Sequence, residues 1–203
     1  MTLANRITLM RMFLSLVIFW LIFHQSFWSV ITAFILLTVA SISDYVDGVI
    51  ARRTHTTTHF GAIVDPLADK LLILSTFLAF ASIRELHIPI WAVFIILLRE
   101  FTISTLRVLA ALHGEIMKAE AAGKLKTAIQ LTSAFVIMAL LVLKAWLKKY
   151  PVAWPWLPHL AGYSGDIARS LTILTALITM ISGAIYLYNH RALIIKSWSE
   201  KKA

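Results

Sequence analysis

Asp44, Asp47, Asp65 and Asp69 make up nearly half of the ten acidic residues in this 203-residue chain, and all four fall within apolar stretches long enough to be helices. A charge in such a setting is costly and marks a functional site by default. The spacing is helical, i to i+3 for Asp44 and Asp47 and i to i+4 for Asp65 and Asp69, so each pair projects from one helix face. Four carboxylates brought together repel, and in a low dielectric some take up protons unless cations neutralise them. Divalent metal is the simplest such cation. Oxygen-only ligands point to Mg²⁺, Mn²⁺ or Ca²⁺ rather than zinc, and two carboxylate pairs suffice for two ions roughly 3.5 to 4 Å apart, the separation used for in-line phosphoryl displacement. The bland alternative is that the four acids join helices or pair with Arg52 and Lys70.

The residues around the aspartates carry two readings each. Gly48 and Gly61 allow close helix packing or let a bulky ligand lie against the backbone. Arg52 is either a membrane-edge anchor, like Arg53, or a bidentate grip on phosphate. Pro66 cannot donate to the carbonyl of Ala62 and is expected to bend or loosen the start of its helix. His55 and His59 flank a threonine run and read as solvated loop residues. A second polar cluster comprises Arg99, Glu100, Ser104 and Arg107, then Gly123, Lys124, Lys126, Thr127 and Gln130. Glu100, Ser104 and Arg107 follow an i, i+4, i+7 stripe and share a face, where Glu100 can also pair with a neighbouring arginine. Lys124 and Lys126 by themselves read equally well as a solvated turn.

The run D-x2-D-G-x2-A-R-x8-G-x3-D-x3-D, filled by Asp44, Asp47, Gly48, Ala51, Arg52, Gly61, Asp65 and Asp69, resembles the signature of the CDP-alcohol phosphotransferases. These membrane enzymes join an alcohol to the phosphoryl group of a CDP-linked donor and release CMP. The resemblance implies Mg²⁺ or Mn²⁺, two ions, held by Asp44, Asp47, Asp65 and Asp69. It also implies a catalytic role for Asp69 as proton acceptor, and a CDP-donor site along Asp47, Gly48, Ala51, Arg52 and Gly61. The elements R-E-x6-R (Arg99, Glu100, Arg107) and G-K-x-K-T-x2-Q (Gly123 to Gln130) look like those of one branch, the phosphatidylglycerophosphate synthases. Such an enzyme takes CDP-diacylglycerol and glycerol 3-phosphate, and the acceptor's own phosphate calls for a basic pocket that Arg107, Lys124, Lys126 and Thr127 can supply. Asn5, Thr8 and Arg11 match this branch too, with Ala4 where a proline is usual; Arg11 by itself reads as a snorkelling interfacial cation. The resemblance runs from about residue 5 to 130, and the family is commonly dimeric, which suggests a homodimer.

The elements that must position these residues follow from composition. With 60% hydrophobic residues and a mean hydropathy of +0.82, the chain reads as an all-α integral membrane protein, one domain over residues 1–203. A span needs about 20 mainly apolar residues, and six are expected, at 7–23, 28–50, 63–82, 88–109, 127–147 and 167–188. The first, with Arg6 before it and Arg11 near its start, reads as a retained span rather than a signal peptide. Pro151, Pro155 and Pro158 mark the segment before the last span as a loop, with Trp146, Tyr150, Trp154 and Trp156 forming an interfacial belt. Lys and Arg favour the termini and the loops after spans 2 and 4, so those ends, and the active site with them, are expected to be cytoplasmic, in a bacterial inner membrane.

The net charge of +9 sits at membrane edges without a nucleic-acid motif, so lipid headgroups and phosphorylated substrates are the expected partners, not nucleic acid. The chain has no cysteine, which excludes disulfides, thiolate catalysis and Cys-based zinc sites. No Ser-His nucleophile arrangement stands out either, so direct displacement is favoured over a covalent intermediate. Two rivals remain at this stage: a relative using inositol phosphate, serine or phosphatidylglycerol as acceptor, and a divalent-cation transporter, since intramembrane carboxylates also mark ion pathways.

Overall fold

A computed structural model describes residues 3–54, 59–112, 121–150, 154 and 156–191. Six long helices account for most of it: α1 (Leu3–His24), α2 (Phe27–Thr54), α3 (His59–Ser82), α4 (Ile90–Leu112), α5 (Ala121–Lys149) and α7 (Ser164–Asn189). Each coincides with one expected span. The helices outrun the apolar stretches at one end of the bundle, where α2 continues four residues past Ile50 and α3 and α5 start at His59 and Ala121. Arg52, His59 and Lys126 are therefore helical rather than in loops. For Lys126 the reason is visible, because its charge is met by another helix rather than by water.

The segment expected to be a loop contains a further short helix, α6 (Trp156–Gly162). Pro158 is its third residue, inside the first turn, where a missing N–H breaks no intrahelical bond. Trp154 and Trp156 flank its start with ring centroids 5.9 Å apart. They are 62% and 54% exposed, as an interfacial belt requires.

Tight connections set the topology. Gln25, with φ of 53°, turns the chain from α1 into α2. A 3-10 turn (Arg84–Leu86) ends at His87, φ 50°, between α3 and α4. Gly165 lets this turn rest on α7: a Cβ there would lie 2.7 Å from the Glu85 carbonyl oxygen and 2.9 Å from His87 Nδ1. Side-chain pairs give the helix directions. α2 and α5 run antiparallel, since Phe27 meets Trp146 at 6.0 Å while Phe34 meets Phe135 at 6.0 Å. α5 and α7 are antiparallel too, through Ser133–Thr175 and Gln130–Thr179. Phe77, Phe80, Ile18, Ile22, Leu37, Ile96, Ile137 and Met138 fill the centre.

The last helix is inside out relative to a soluble one. Its buried face is Ala168, Thr172, Thr175, Ala176, Thr179, Ser182 and Gly183. Leu174, Leu177, Met180, Ile181 and Ile185 face outward at 43–56% exposure. Water would favour the reverse; hydrocarbon favours this arrangement, in which small and hydroxylated residues pack helix to helix. Each buried hydroxyl must then be satisfied within the bundle, as when Thr172 donates to the Ala168 carbonyl at 2.8 Å. Among the described residues, Leu125–Lys149 and Ser164–Asn189 are long and apolar enough to cross a membrane, while Leu9–His24, Phe27–Ser43 and Lys70–Ser82 are shorter apolar stretches. α4 carries Arg99, Glu100 and Arg107 within its apolar run, and these charges interrupt its hydropathy.

Candidate active site

α2 carries Asp44, Asp47, Gly48, Ala51 and Arg52 in its second half, and α3 carries Gly61, Asp65 and Asp69 in its first half. Their side chains lie outside the described residues, as do those of Asn5, Thr8 and Lys124, and His55 lies outside altogether. α3 continues through Pro66 as one helix. What the structure does describe is the ground next to them. Lys70, adjoining Asp69 in sequence, reaches across to α4: its Nζ lies 4.0 Å from Glu100 Oε2 and donates to the Glu100 carbonyl oxygen at 3.4 Å.

Glu100 is the hub of a buried polar network. It is 4% exposed, in a bundle where an isolated carboxylate would not stay ionised. Its Oε1 accepts from Lys126 Nζ on α5, from Arg99 Nη1 at 3.3 Å and from Gln130 Nε2 at 3.3 Å. Gln130 also donates to Thr179 Oγ1 on α7 at 3.4 Å. Arg99 Nη2 donates to Ser182 Oγ on α7 at 3.2 Å. One carboxylate thus ties α4 to α5 directly, and to α7 through two relays. Three cationic side chains, those of Lys70, Arg99 and Lys126, converge within 4.0 Å of this one carboxylate.

The seat of Arg99 is built by Gly183. A Cβ at that position would lie 2.9 Å from Arg99 Cγ and 3.5 Å from Nε, so only glycine lets the arginine stem lie flat on α7. Among the described residues, Arg99 Nε is buried without a hydrogen-bond partner, and so is the hydroxyl of Tyr186 on α7. Arg107, two turns after Arg99, places its guanidinium 5.8 Å from the Tyr186 ring centroid, and His190 stacks on that ring at 4.3 Å. Ser104 donates to the Glu100 carbonyl at 2.6 Å and Thr127 to the Gly123 carbonyl at 3.1 Å. Both hydroxyls are therefore bonded within their own helices.

Of the basic residues expected to meet a phosphate, Lys126 is buried and bonded to Glu100, while Arg107 is exposed along α4. The two have different local duties: one is locked in a network, the other is held against an aromatic face. Sequence reasoning assigned no role to Thr179, Ser182, Gly183 or Tyr186. The signal was present in the recurrence of Thr172, Thr175, Thr179 and Ser182 every three or four residues on an apolar helix, the register of a buried polar seam.

The sequence profile of the family described as CDP-alcohol phosphatidyltransferase matches residues 1–180. The chain belongs to this family. Ser182, Gly183 and Tyr186 lie past the matched region. Among curated relatives, the CDP-diacylglycerol–glycerol-3-phosphate 3-phosphatidyltransferase of Bacillus subtilis is 38% identical over 104 residues, which cover 51% of this chain and 53% of the relative. The probable phosphatidylglycerophosphate synthase of Mycobacterium tuberculosis H37Rv is 38% identical over 132 residues, 63% of this chain and 61% of the relative. The Escherichia coli K12 protein with the same name as the Bacillus one is 32% identical over 171 residues, 81% of each. The chain thus spans only about half to three fifths of the first two relatives' length.

Proposed function

We propose that the chain transfers the phosphatidyl group of CDP-diacylglycerol to glycerol 3-phosphate, giving phosphatidylglycerophosphate and CMP. The observation that carries this reading is the Lys70–Glu100–Lys126 connection. It joins the helix bearing Asp65 and Asp69 to the basic elements of α4 and α5, which supports a donor site beside a site for a phosphorylated acceptor. The names of the relatives from Bacillus and Escherichia support the same pair of substrates.

A hydroxyl oxygen of glycerol 3-phosphate attacks the phosphorus that bears diacylglycerol, a new P–O bond forms, and the bond to CMP breaks. Asp69 takes the hydroxyl proton. Arg52 grips the donor diphosphate, and Gly48, Ala51 and Gly61 leave room for the cytidine and its phosphates. Arg107, Lys124, Lys126 and Thr127 receive the acceptor phosphate. The donor set of Asp44, Asp47, Asp65 and Asp69 consists only of carboxylate oxygens at helical spacing on α2 and α3, which fits Mg²⁺ or Mn²⁺. Two such ions, when bound, would neutralise the diphosphate and the departing CMP.

The six long helices cross a bacterial inner membrane with the aspartate-bearing end cytoplasmic, and the protein acts as a homodimer. The inside-out face of α7 supports the embedding; cross-linking in native membranes tests the dimer.

The deciding assay is CMP release from CDP-diacylglycerol with glycerol 3-phosphate, inositol phosphate or serine as acceptor. Turnover is expected with the first alone, lost on chelation and restored by Mg²⁺ or Mn²⁺. Full activity in metal-free buffer would overturn the metal assignment, and preference for another acceptor the substrate assignment. Asp69→Asn is expected to lower kcat by about 10² to 10⁴-fold, the usual worth of a general base, with a smaller effect on donor KM.

A further inference from the structure

The ammonium of Lys149 is held over three rings, 4.3 Å from the centroid of Phe27, 4.6 Å from that of Trp28 and 5.5 Å from that of Tyr150. Trp146 closes the group, 6.0 Å from Phe27 and 4.9 Å from Tyr150. This cluster stands at the far end of α5 from Lys126, roughly 35 Å away at 1.5 Å per helical residue, about the thickness of a bilayer's hydrocarbon core and one headgroup layer. It shares no residue with the candidate active site.

Charge and exposure together describe what it fits. Lys144 and Lys148 share Glu85, at 2.8 and 3.4 Å, whereas Lys149 has no carboxylate partner among the described residues. Three lysines against one acid leave the patch cationic. Ring faces attract an ammonium and fix its place but do not neutralise it. The N–H bonds turned away from the rings remain free to donate. Trp28, Trp146 and Tyr150 are 65%, 48% and 40% exposed, and such rings lie at headgroup level, body toward the acyl chains and polar tip toward water. The first turn of α2, beginning at Phe27, adds the positive end of a helix dipole to the same spot.

The geometry points to a binding site for the phosphodiester of an anionic phospholipid, in the leaflet opposite the aspartate-bearing end. Lys149 donates to a phosphate oxygen, while Trp28, Trp146 and Tyr150 pack against the glycerol and first acyl carbons. A zwitterionic lipid brings its own ammonium into a patch of like charge and is disfavoured. The site rests on the reading of the bundle as membrane-spanning and is independent of the reaction proposed above.

Native mass spectrometry of the full chain, released from nanodiscs of mixed phosphatidylglycerol and phosphatidylcholine, tests it. Wild type is expected to retain phosphatidylglycerol over phosphatidylcholine by about fivefold, corresponding to the ~1 kcal/mol of one lysine at an anionic surface. Lys149→Met should abolish that preference, Lys149→Arg should keep it and Lys148→Met should leave most of it; Lys149→Gln replaces the Met variant if the latter does not fold. Millimolar inorganic phosphate should not displace the lipid. Equal retention of both lipids, an unchanged Lys149→Met, an equal loss in Lys148→Met, or displacement by free phosphate would each overturn the site. A chain that stays out of the nanodisc refutes the membrane reading itself, whereas an incorporated chain without lipid preference refutes the site alone.

Discussion

Glu100 and Glu85 each bind lysines of α5, one near its start and the other near its end, yet the two acids live in different solvents. The Glu100 side chain is 5% exposed and its Oε1 is shared by Lys126, Arg99 and Gln130. Glu85 is 50% exposed, and water shares its charge with Lys144 and Lys148. With water excluded, every charge needs a protein partner, and losing one leaves the others stranded. With water present, the same pairing contributes little. Burial rather than residue type decides which of the two can organise helices, and the organised end is the one that adjoins the aspartates.

The contrast is broken most forcefully at Glu100. Glu100→Ala strands the cations of Lys126 and Arg99, and loss of one partner from a buried pair costs about 3 to 5 kcal/mol. The expected result is a sharply lower melting temperature in detergent, with partial recovery when Lys126→Met is added, because the double variant removes a stranded charge. Additive single effects would mean that the two side chains do not interact in the membrane. Next in size is Lys126→Met by itself. If Lys126 also receives the acceptor phosphate, KM for glycerol 3-phosphate rises by roughly 10 to 150-fold, the worth of one charge-assisted bond at about 1.5 to 3 kcal/mol. KM for CDP-diacylglycerol should move far less, and equal rises in both would leave Lys126 as a helix-locking residue only. Smaller again is Gly183→Ala, which drives a methyl into the Arg99 stem and costs about 1 to 3 kcal/mol by overpacking. Gly123→Ala is the control, since a Cβ there meets nothing within 4 Å. It should be neutral or stabilise by about the 0.5–1 kcal/mol that alanine gains over glycine in a helix.

These sites were unevenly legible in the sequence. The six long helices could be read because the bilayer fixes span length, so apolar run length carries most of the information. Their ends were misjudged where charge is absorbed inside the bundle: hydropathy treats Lys126 as a boundary, but its bond to Glu100 lets α5 begin earlier. α6 was missed because proline was read only as a breaker, although the first turn tolerates it. The aspartate motif was visible through its spacing alone. The Glu100 network was half visible, as a motif in α4 and another in α5. Nothing in local sequence says that these meet, because the contact joins residues 26 apart and is closed from α7 at Thr179 and Ser182. Gly183 could not be singled out by type; its role depends on an arginine 84 residues earlier lying across it.

The smallest expected effect is at Glu85, and it sharpens the comparison through its sign. The hydrogen bond from Lys144, then that lysine's charge, hold the Glu85 carboxyl below its ordinary value of 4.5, and the charge of Lys148 adds to this against a modest opposing effect of burial. A carboxyl with a depressed value in the folded protein binds protons more readily when unfolded. Its contribution to stability is therefore fully present above the unfolded value and is lost as pH falls through the folded one. Glu85→Gln should thus lower the melting temperature slightly at neutral pH, within the 0 to about 1 kcal/mol of an exposed pair. As pH falls through that depressed value the wild-type carboxyl takes up its proton, and the two proteins should converge. Raising salt should shrink the neutral-pH difference, since exposed charges are screened over roughly 8 to 10 Å at ordinary ionic strength. A gap that persisted in acid and in high salt would show that Glu85 acts through packing of the 3-10 turn against Gly165 rather than through charge, and the supposed division between a buried and a solvated acid would then fail at its weaker end.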